Sequence, residues 1–288
     1  MYIMKNNAWE IVQNKSDRIL SCGLNKLATQ SFCDISSVTE NGCGNYLISL
    51  NKEPFYIGEG KYLNKRLKQQ FNPKISTFYK SYEKITHKMI YKPATIDSFK
   101  IQYIPTNIGR KEIEEFGIVN LATKLNKFQL DKRLKCKITD QKGLWNSVQA
   151  NFEGILKEGE AKILNSIFKP WFAIDFRSCA GIYLVKDIMG NLIYIGESSN
   201  IGDRIMTHSG RTYFSALRRH IGTEILGFKL QEIKGRKRYF SEQEDRKVTD
   251  FLTTCKVTLL PVEFGRYELE EYLIKKYKPL LNRKDNKS

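Results

Sequence analysis

The feature that most constrains the fold of this chain is an internal repeat. The segments 104–126 and 260–282 share a proline, a glycine, an arginine, three glutamates and a final asparagine at a constant offset of 156 residues. The segments 56–66 and 194–204 share the tetrapeptide Tyr-Ile-Gly-Glu and an arginine at an offset of 138 residues. Two blocks that recur in the same order indicate a tandem duplication, with 18 additional residues in the second copy.

We therefore predict two similar domains joined by a connector. The first copy occupies residues 1–126 and is partly divergent, and the second copy occupies residues 170–288. Residues 127–169 carry apolar side chains at helical spacing, which predicts a helical connector and not a flexible linker. A chain of 288 residues is long enough for two domains that each bury a core.

Each copy has the sequence pattern of a small α/β domain. In the second copy, the β-rich runs 181–185 and 192–195 flank a turn sequence, which predicts a hairpin. Asn200 is expected to cap the next helix, and a last helix is predicted from Glu268 to Tyr277. The first copy repeats this order. We predict the α/β (α+β) class, with a small, mainly antiparallel sheet flanked by helices in each copy.

The charge of the chain favours a polyanionic partner. Lys and Arg together number 48 against 31 Asp and Glu, which gives a formal net charge of +17. The basic residues are interleaved with 15 tyrosines and 16 phenylalanines, whose rings can stack on bases. This combination indicates nucleic acid as the partner.

The composition disfavours membrane, secreted and zinc-binding proteins. No apolar run approaches the roughly 18–20 residues that a membrane-spanning helix needs, and the first residues lack the pattern of a signal peptide. The six cysteines form no CxxC pair, and the three histidines supply no zinc-ligand spacing. We expect reduced thiols in a cytoplasmic protein without a membrane partner.

A set of polar residues in the second copy has the chemical types that phosphodiester hydrolysis needs. Arg204 and His208 are four residues apart, so a helix places them on one face. Glu270 is predicted on a different helix, and Tyr183 and Tyr194 on adjacent strands. Hydrolysis needs a base for water, a cation for the phosphate and an acidic metal ligand. Taken singly, each residue is more typical of a core or a solvated surface, but Tyr, Arg and Glu recur together in the first copy.

The second copy resembles the GIY-YIG nuclease family. The tripeptide Gly181-Ile182-Tyr183 is followed after ten residues by Tyr194-Ile195-Gly196, and Arg204 lies eight residues beyond that glycine. The segment from Leu269 to Asn282 is similar to the metal-site helix of the family, notably in the nucleotide-excision-repair incision nuclease. His208 and Asn282 resemble the arrangement in GIY-YIG restriction and homing endonucleases. The resemblance spans about 110 residues.

The resemblance implies a catalytic role for three of these residues. Glu270 would ligate one Mg²⁺ (or Mn²⁺), which commonly keeps several waters and takes phosphate oxygens as further ligands. Arg204 would hold the scissile phosphate. Tyr183 would be the base, or the group that relays a proton to it, and a phenolate would require neighbouring cations to favour it.

The resemblance also implies supporting roles. Tyr194 and His208 would orient water or assist proton transfer. Asn282 would bind phosphate or support the metal helix.

The first copy retains most of this set. Gln70 stands where the second copy has His208, and Asn45 replaces an apolar strand residue. If the histidine is essential for proton transfer, the first copy is slow or inactive, and if a tyrosine suffices, both copies work. Glu114 would be its metal ligand. The candidate residues of this second site are Tyr46, Tyr56, Arg66, Gln70, Glu114 and Asn126.

The region that is longer in the second copy is rich in basic residues. Their first interpretation is contact with DNA phosphates, which carries no sequence information. Arg236 or Arg238 could read guanine in the major groove, but the sequence does not distinguish this from a solvated charge run. The candidates are Arg211, Arg218, Arg219, Lys234, Arg236, Lys237 and Arg238.

These observations predict a metal-dependent endonuclease of double-stranded DNA, most consistent with a type II-like restriction enzyme. Two fused domains would each cut one strand, with internal pseudo-two-fold symmetry and without a dimer. One alternative is a nickase or a structure-specific repair nuclease with a single active site. The other is a non-catalytic DNA-binding protein built from decayed nuclease domains.

Overall fold

The chain forms two compact units. The computed structural model describes residues 7–72, 74–86, 98–128, 130–137, 142–174, 177–233 and 235–282. Unit 1 comprises Met1–Ile155 and unit 2 comprises Leu156–Ser288. The division therefore falls inside the predicted connector 127–169, which does not form a third body.

Helices enclose the sheet of unit 1. Two helices precede it, α1 (Ala8–Asn14) and α2 (Ser16–Ala28). The described strands are β1 (Gly44–Leu50), β2 (Glu53–Gly60) and β3 (Phe99–Pro105), in the antiparallel order β2-β1-β3. Helices α3 (Leu63–Gln70) and α4 (Thr77–Thr86) lie between β2 and β3 in the sequence, and α5 (Arg110–Leu121) follows β3. Every residue of the central strand β1 is buried, so the sheet forms the middle of the core.

The first half of the predicted connector belongs to the core of unit 1. Helix α6 (Lys142–Ala150) places the buried Trp145 against Gly23 of α2. A methyl group at Gly23 would lie 2.4 Å from this ring, so only glycine allows the two helices to approach so closely. The Gln149 side chain also accepts hydrogen bonds from the backbone N–H groups of Asn107 and Ile108. Helix α7 (Phe152–Leu164) contains the division between the units.

Unit 2 has a similar sheet with an additional edge strand. The described strands are β4 (Lys169–Pro170), β5 (Gly181–Lys186), β6 (Leu192–Ser198) and β9 (Lys256–Pro261), in the antiparallel order β4-β9-β5-β6. The helices of this unit after β6 are α8 (Ile201–Ser209), α9 (Ala216–His220), α10 (Glu242–Thr254) and α11 (Arg266–Tyr277). A small hairpin of β7 (Gln231–Ile233) and β8 (Arg236–Tyr239) lies in the region that the sequence comparison identified as longer.

The local predictions for unit 2 are confirmed. The β5–β6 hairpin turns at Gly190, whose φ of 85° favours glycine. The Asn200 side chain accepts a hydrogen bond from the backbone N–H of Asp203 at 3.2 Å and so caps α8. Helix α11 begins two residues earlier than predicted, at Arg266, because Gly265 has a φ of 87° and starts the helix there.

The two units share strand register around their tyrosines. Tyr46 pairs with Gly58 in unit 1, and Tyr183 pairs with Gly196 in unit 2. A Cβ atom at either glycine would lie 2.4 Å from an atom of the partner tyrosine side chain. The glycine of each Tyr-Ile-Gly sequence is therefore required because the tyrosine ring lies across it.

The described residues contain no helix that is long and apolar enough to cross a membrane. All six cysteines lie in the described ranges, and none of them forms a disulfide bond.

Candidate active site

A buried chain of hydrogen bonds links Tyr183, His208 and Ser215 in unit 2. The Tyr183 hydroxyl on β5 lies 2.7 Å from Nε2 of His208 on α8. Nδ1 of the same ring lies 2.6 Å from the hydroxyl of Ser215, the N-cap residue of α9. The backbone N–H of Arg218 donates to this hydroxyl at 3.0 Å. Because all three side chains are fully buried, these hydrogen bonds are fixed in place.

The imidazole of His208 is neutral in this environment. Burial lowers its pKa well below the ordinary value, and the positive charges of Arg204, Arg218 and Arg219 lower it further. A neutral imidazole keeps one nitrogen able to accept a proton. His208 can therefore accept the hydroxyl proton of Tyr183 when Ser215 accepts the hydrogen bond from Nδ1.

The two tyrosines of unit 2 are neutral phenols. Burial raises the pKa of Tyr183 well above its usual value, and the neighbouring Tyr194 raises it further. Burial also raises the pKa of Tyr194, followed by the charge of Glu270. The nearby Arg204 acts in the opposite direction but does not outweigh burial. These directions argue against a standing phenolate at either tyrosine.

The guanidinium of Arg204 is available for an anion. Its side chain is half-buried on α8, next to both tyrosines. Its Nε atom is buried and has no hydrogen-bond partner among the residues that the structure describes. A buried N–H without a partner costs free energy, so this atom marks a position that a phosphate oxygen would satisfy.

The carboxylate of Glu270 is oriented by the neighbouring strand. Its Oε1 accepts a hydrogen bond from the backbone N–H of Glu197 on β6 at 3.0 Å. The Glu197 side chain in turn forms an ion pair with the buried Arg266 at 2.9 Å. The sequence predicted no role for Glu197 or Arg266. The signal was present, because Glu59 and Arg110 repeat them and lie 3.7 Å apart in unit 1.

Asn282 is a structural clamp in this structure. Its amide oxygen accepts from the backbone N–H of Ile195 at 2.9 Å, and its amide nitrogen donates to the carbonyl of Ile195 at 2.7 Å. In unit 1, Asn126 makes the same pair of bonds to Ile57. Of the two predicted roles, phosphate binding or support of the metal helix, these contacts favour support.

The donor chemistry fits a single divalent cation of the magnesium type. In the described part of the chain, no group of three or more His, Cys, Asp or Glu side chains is arranged to hold a metal. Mg²⁺ needs no such cage, because it commonly binds one or two carboxylates and completes its shell with water and substrate phosphate. Glu270, oriented by a backbone N–H and near enough to Tyr183 and Tyr194 to raise their pKa values, matches that requirement.

Unit 1 contains a parallel chain in which glutamine replaces histidine. Nε2 of Gln70 donates to the Tyr46 hydroxyl at 2.8 Å, and the Ser76 hydroxyl donates to Oε1 of Gln70 at 3.2 Å. The structure thus brings Gln70 to the position predicted for it. An amide that donates to the tyrosine cannot accept its proton. Gln70 therefore holds the Tyr46 hydroxyl in place without serving as a proton acceptor.

The predicted metal ligand of unit 1 is paired with a lysine. Nζ of Lys111 lies 2.9 Å from Oε2 of Glu114; the lysine side chain is partly exposed and the glutamate side chain is largely buried. The interactions with Glu114 raise the pKa of this lysine even though burial lowers it, so the ammonium remains charged. Position 267 of unit 2, which matches Lys111 in the repeat, is a tyrosine. The residue three positions before the carboxylate is therefore a lysine in unit 1 and a tyrosine in unit 2.

Arg218 is not a DNA contact, contrary to the sequence prediction. Its side chain is buried, forms an ion pair with Asp245 at 2.9 Å and donates to Thr249. The sequence could not reveal that Arg218 is buried, because it lies in a run of basic residues and its burial depends on tertiary packing. Arg211 and Arg238 are exposed, as a DNA contact requires.

The remaining candidates in the basic region have mixed outcomes. Arg219 is half-buried and donates to the carbonyls of Thr212 and Tyr213. Lys234 lies outside the described residues, and the side chains of Arg236 and Lys237 are not described.

Unit 2 thus combines a buried tyrosine–histidine pair, an arginine N–H without a partner among the described residues, and a carboxylate oriented by a backbone N–H. Residues 176–288 match the family model of the GIY-YIG catalytic domain, so the chain contains a GIY-YIG domain, which implies a nuclease. The resemblance noted in the sequence is thereby confirmed. No curated protein matches the chain.

Proposed function

We propose that this protein is a metal-dependent endonuclease that hydrolyses phosphodiester bonds of double-stranded DNA. The observation that carries the proposal is the buried Tyr183–His208–Ser215 chain beside the unpartnered Nε of Arg204. The net charge of +17 supports a polyanionic substrate. The six thiols without disulfide bonds support a place in the cytoplasm.

The residues of unit 2 divide the chemistry between them. Arg204 binds a non-bridging oxygen of the scissile phosphate through its Nε. Tyr183 transfers its hydroxyl proton to Nε2 of His208 as it takes a proton from the attacking water, and Ser215 keeps the imidazole oriented. The water oxygen bonds to phosphorus as the bond from phosphorus to the leaving sugar oxygen breaks, and that oxygen takes a proton from solvent. Glu270 would hold the divalent cation, which would supply charge stabilisation for the phosphate.

We further propose that unit 1 is a second copy of this domain and cuts the other strand, as in a type II-like restriction enzyme. The shared strand order, the tyrosine–glycine pairs and the asparagine clamps support a common origin. Unit 1 retains Tyr46, Tyr56, Arg66 and Glu114. Two fused centres would cut both strands from one chain.

Cleavage of supercoiled plasmid with Mg²⁺, against EDTA, tests this proposal. The wild type should give discrete linear fragments, whereas Glu270→Gln and Glu114→Gln should each stop at nicked circles. Glu271→Gln is the matched control, because it makes the same change one residue along α11. Absence of cleavage with tight binding retained in EDTA would contradict the proposal and favour a DNA-binding protein.

A nickase with one working centre is the second candidate. Two observations in unit 1 favour it, the Gln70 amide at the tyrosine and the Lys111–Glu114 ion pair. It requires that Glu270→Gln abolish all cleavage while Glu114→Gln leaves the wild-type products unchanged.

A further inference from the structure

An aromatic cluster lies directly next to the hydrogen-bonded chain of unit 2. The rings of Tyr213 and Tyr239 stack with centroids 5.0 Å apart, and the edge of Phe214 meets Tyr213 at 4.7 Å and 90°. We call these three residues the aromatic platform. Phe214 is 69% exposed although its neighbour Tyr213 is partly buried. The platform thus exposes the phenyl ring of Phe214 to solvent, next to two stacked tyrosine rings.

The backbone beneath the platform is held rigidly. Thr212, Tyr213 and Phe214 form a short 3₁₀ turn, and Arg219 donates to the carbonyls of the first two at 3.2 and 2.9 Å. The Thr212 hydroxyl donates to Asp245, which is also paired with the buried Arg218. The backbone that carries the exposed Phe214 is therefore held in place by buried groups.

Positive charges surround the platform. The guanidinium of Arg238 lies 5.9 Å from the centre of the Tyr213 ring. Burial lowers the pKa of Arg219, and the charges of Arg238 and Arg204 lower it further, which places the three arginines within one electrostatic neighbourhood. Such a group of like charges is costly in the free protein and favours an anion that bridges them.

The platform is connected to the proposed catalytic residues. Phe214 immediately precedes Ser215, whose hydroxyl lies 2.6 Å from Nδ1 of His208. The same α8 helix carries Arg204. The contact between Ser215 and His208 thus links the segment that carries the exposed ring to the helix that carries Arg204.

We propose that Phe214 stacks on a nucleobase of the strand whose phosphate is bound by Arg204, and that this base leaves its place in the duplex. The inference rests on DNA being the substrate. Phosphate binding by arginines supplies affinity for any sequence, and an aromatic ring that replaces a neighbouring base compensates for unstacking. The platform favours positions where the duplex opens most readily, such as a mismatch.

Binding to matched and mismatched duplexes tests the inference. Full-length Glu270→Gln protein in EDTA is titrated against two 30-base-pair duplexes that differ only in one central pair, 2-aminopurine opposite thymine or opposite cytosine. We expect tighter binding to the mismatched duplex and a rise in 2-aminopurine fluorescence. Adding Phe214→Ala should remove that preference, weakening mismatch binding roughly 5- to 100-fold, the range for loss of one base–aromatic stack.

Two further variants separate stacking from general effects. Phe214→Trp should retain the preference because it keeps a stacking ring. Phe172→Ala, which removes another exposed phenylalanine of unit 2, should leave both affinities unchanged. Equal affinity for the two duplexes, or a preference that survives Phe214→Ala, would overturn the inference while leaving the proposed nuclease intact. Loss of all DNA binding in the parent protein would instead contradict the proposed function itself.

Discussion

At the scale of single residues, the most informative difference between the units is the partner of the buried tyrosine. Nε2 of His208 can accept a proton from Tyr183, whereas Nε2 of Gln70 donates to Tyr46. Both partners keep the tyrosine hydroxyl in place. They differ in whether they can accept the hydroxyl proton.

Exchanging these two residues should separate positioning from proton transfer. We expect His208→Gln to lower the rate of unit 2 cleavage about 10²- to 10⁴-fold, the usual contribution of a general base, with little change in DNA affinity. The rate is measured as single-turnover nicking of plasmid in a Glu114→Gln background. Gln70→His should raise the rate of unit 1 in a Glu270→Gln background. An unchanged rate for His208→Gln would remove the histidine from the mechanism.

The buried histidine also predicts a pH dependence of stability. Because the pKa of His208 is lowered in the folded protein, the unfolded chain binds a proton first as the pH falls. Stability is therefore unaffected above the ordinary histidine pKa of about 6.5 and falls below it, by up to about 1.4 kcal/mol per pH unit. Urea unfolding monitored between pH 5 and 7.5 measures this slope. His208→Gln should unfold with a visibly shallower dependence on pH.

At the scale of elements, the edge strand β6 and helix α11 are joined by Asn282, which lies five residues beyond the end of the helix. Asn282 bonds both backbone groups of Ile195, at the middle of β6, and the N–H of Glu197 two residues along orients Glu270. The position of the metal ligand thus depends on how β6 and the end of α11 are fastened together.

Removing the clamp should affect both stability and activity. Asn282→Ala leaves a buried N–H and a buried C=O of Ile195 without partners, which we expect to cost about 2–4 kcal/mol in total. The thermal midpoint and the Mg²⁺ concentration needed for half-maximal nicking are the measurements. Asn282→Asp, which keeps the acceptor for the N–H, should lose less stability than alanine. A fully active and stable Asn282→Ala protein would contradict the clamp role.

At the scale of the whole molecule, the two proposed centres differ in the charge next to their carboxylates. Lys111 neutralises Glu114, and Tyr267 stands at the matching place near Glu270. A metal ion at Glu114 must displace an ammonium or tolerate its repulsion, so unit 1 should need more Mg²⁺ than unit 2.

The order of strand cleavage should therefore depend on the metal concentration. We expect nicked circles to accumulate at low Mg²⁺ and linear DNA to appear only at higher Mg²⁺. Lys111→Tyr should shift the second cut to lower Mg²⁺ by roughly ten-fold, which corresponds to about 1.4 kcal/mol. Tyr267→Lys should shift the first cut in the opposite direction. Titration of Mn²⁺ binding without DNA gives a readout that is independent of cleavage. A single Mg²⁺ midpoint for both cuts in the wild type would refute this expectation.

The sequence predicted the residues that recur and missed those that act through packing. Tyr183, Arg204 and Glu270 were found because their spacing repeats. Ser215 was missed because a single serine at a helix start has no distinguishing pattern. Arg218 was wrongly placed on the surface, since only tertiary contacts reveal that Asp245 neutralises it inside the fold.

The same limit applied to larger parts. The strands and helices of the second copy were predicted closely because their alternating and helical patterns are strong. The place of α6 in unit 1 depends on Gly23 accepting Trp145, a fit of shapes that no periodicity reports.

The packing of each tyrosine against its glycine has a consequence for how such a chain can change by mutation. Any side chain at Gly58 or Gly196 would collide with the ring of Tyr46 or Tyr183, and shrinking the ring would remove the hydroxyl. A larger residue in place of the glycine cannot be compensated by a smaller residue in place of the tyrosine, because the smaller residue would lack the hydroxyl group. The tyrosine and the glycine of each pair can therefore be retained only together. In unit 1 this pair is present together with Gln70 at the position that matches His208, so the packing of the tyrosine against its glycine does not depend on a histidine partner.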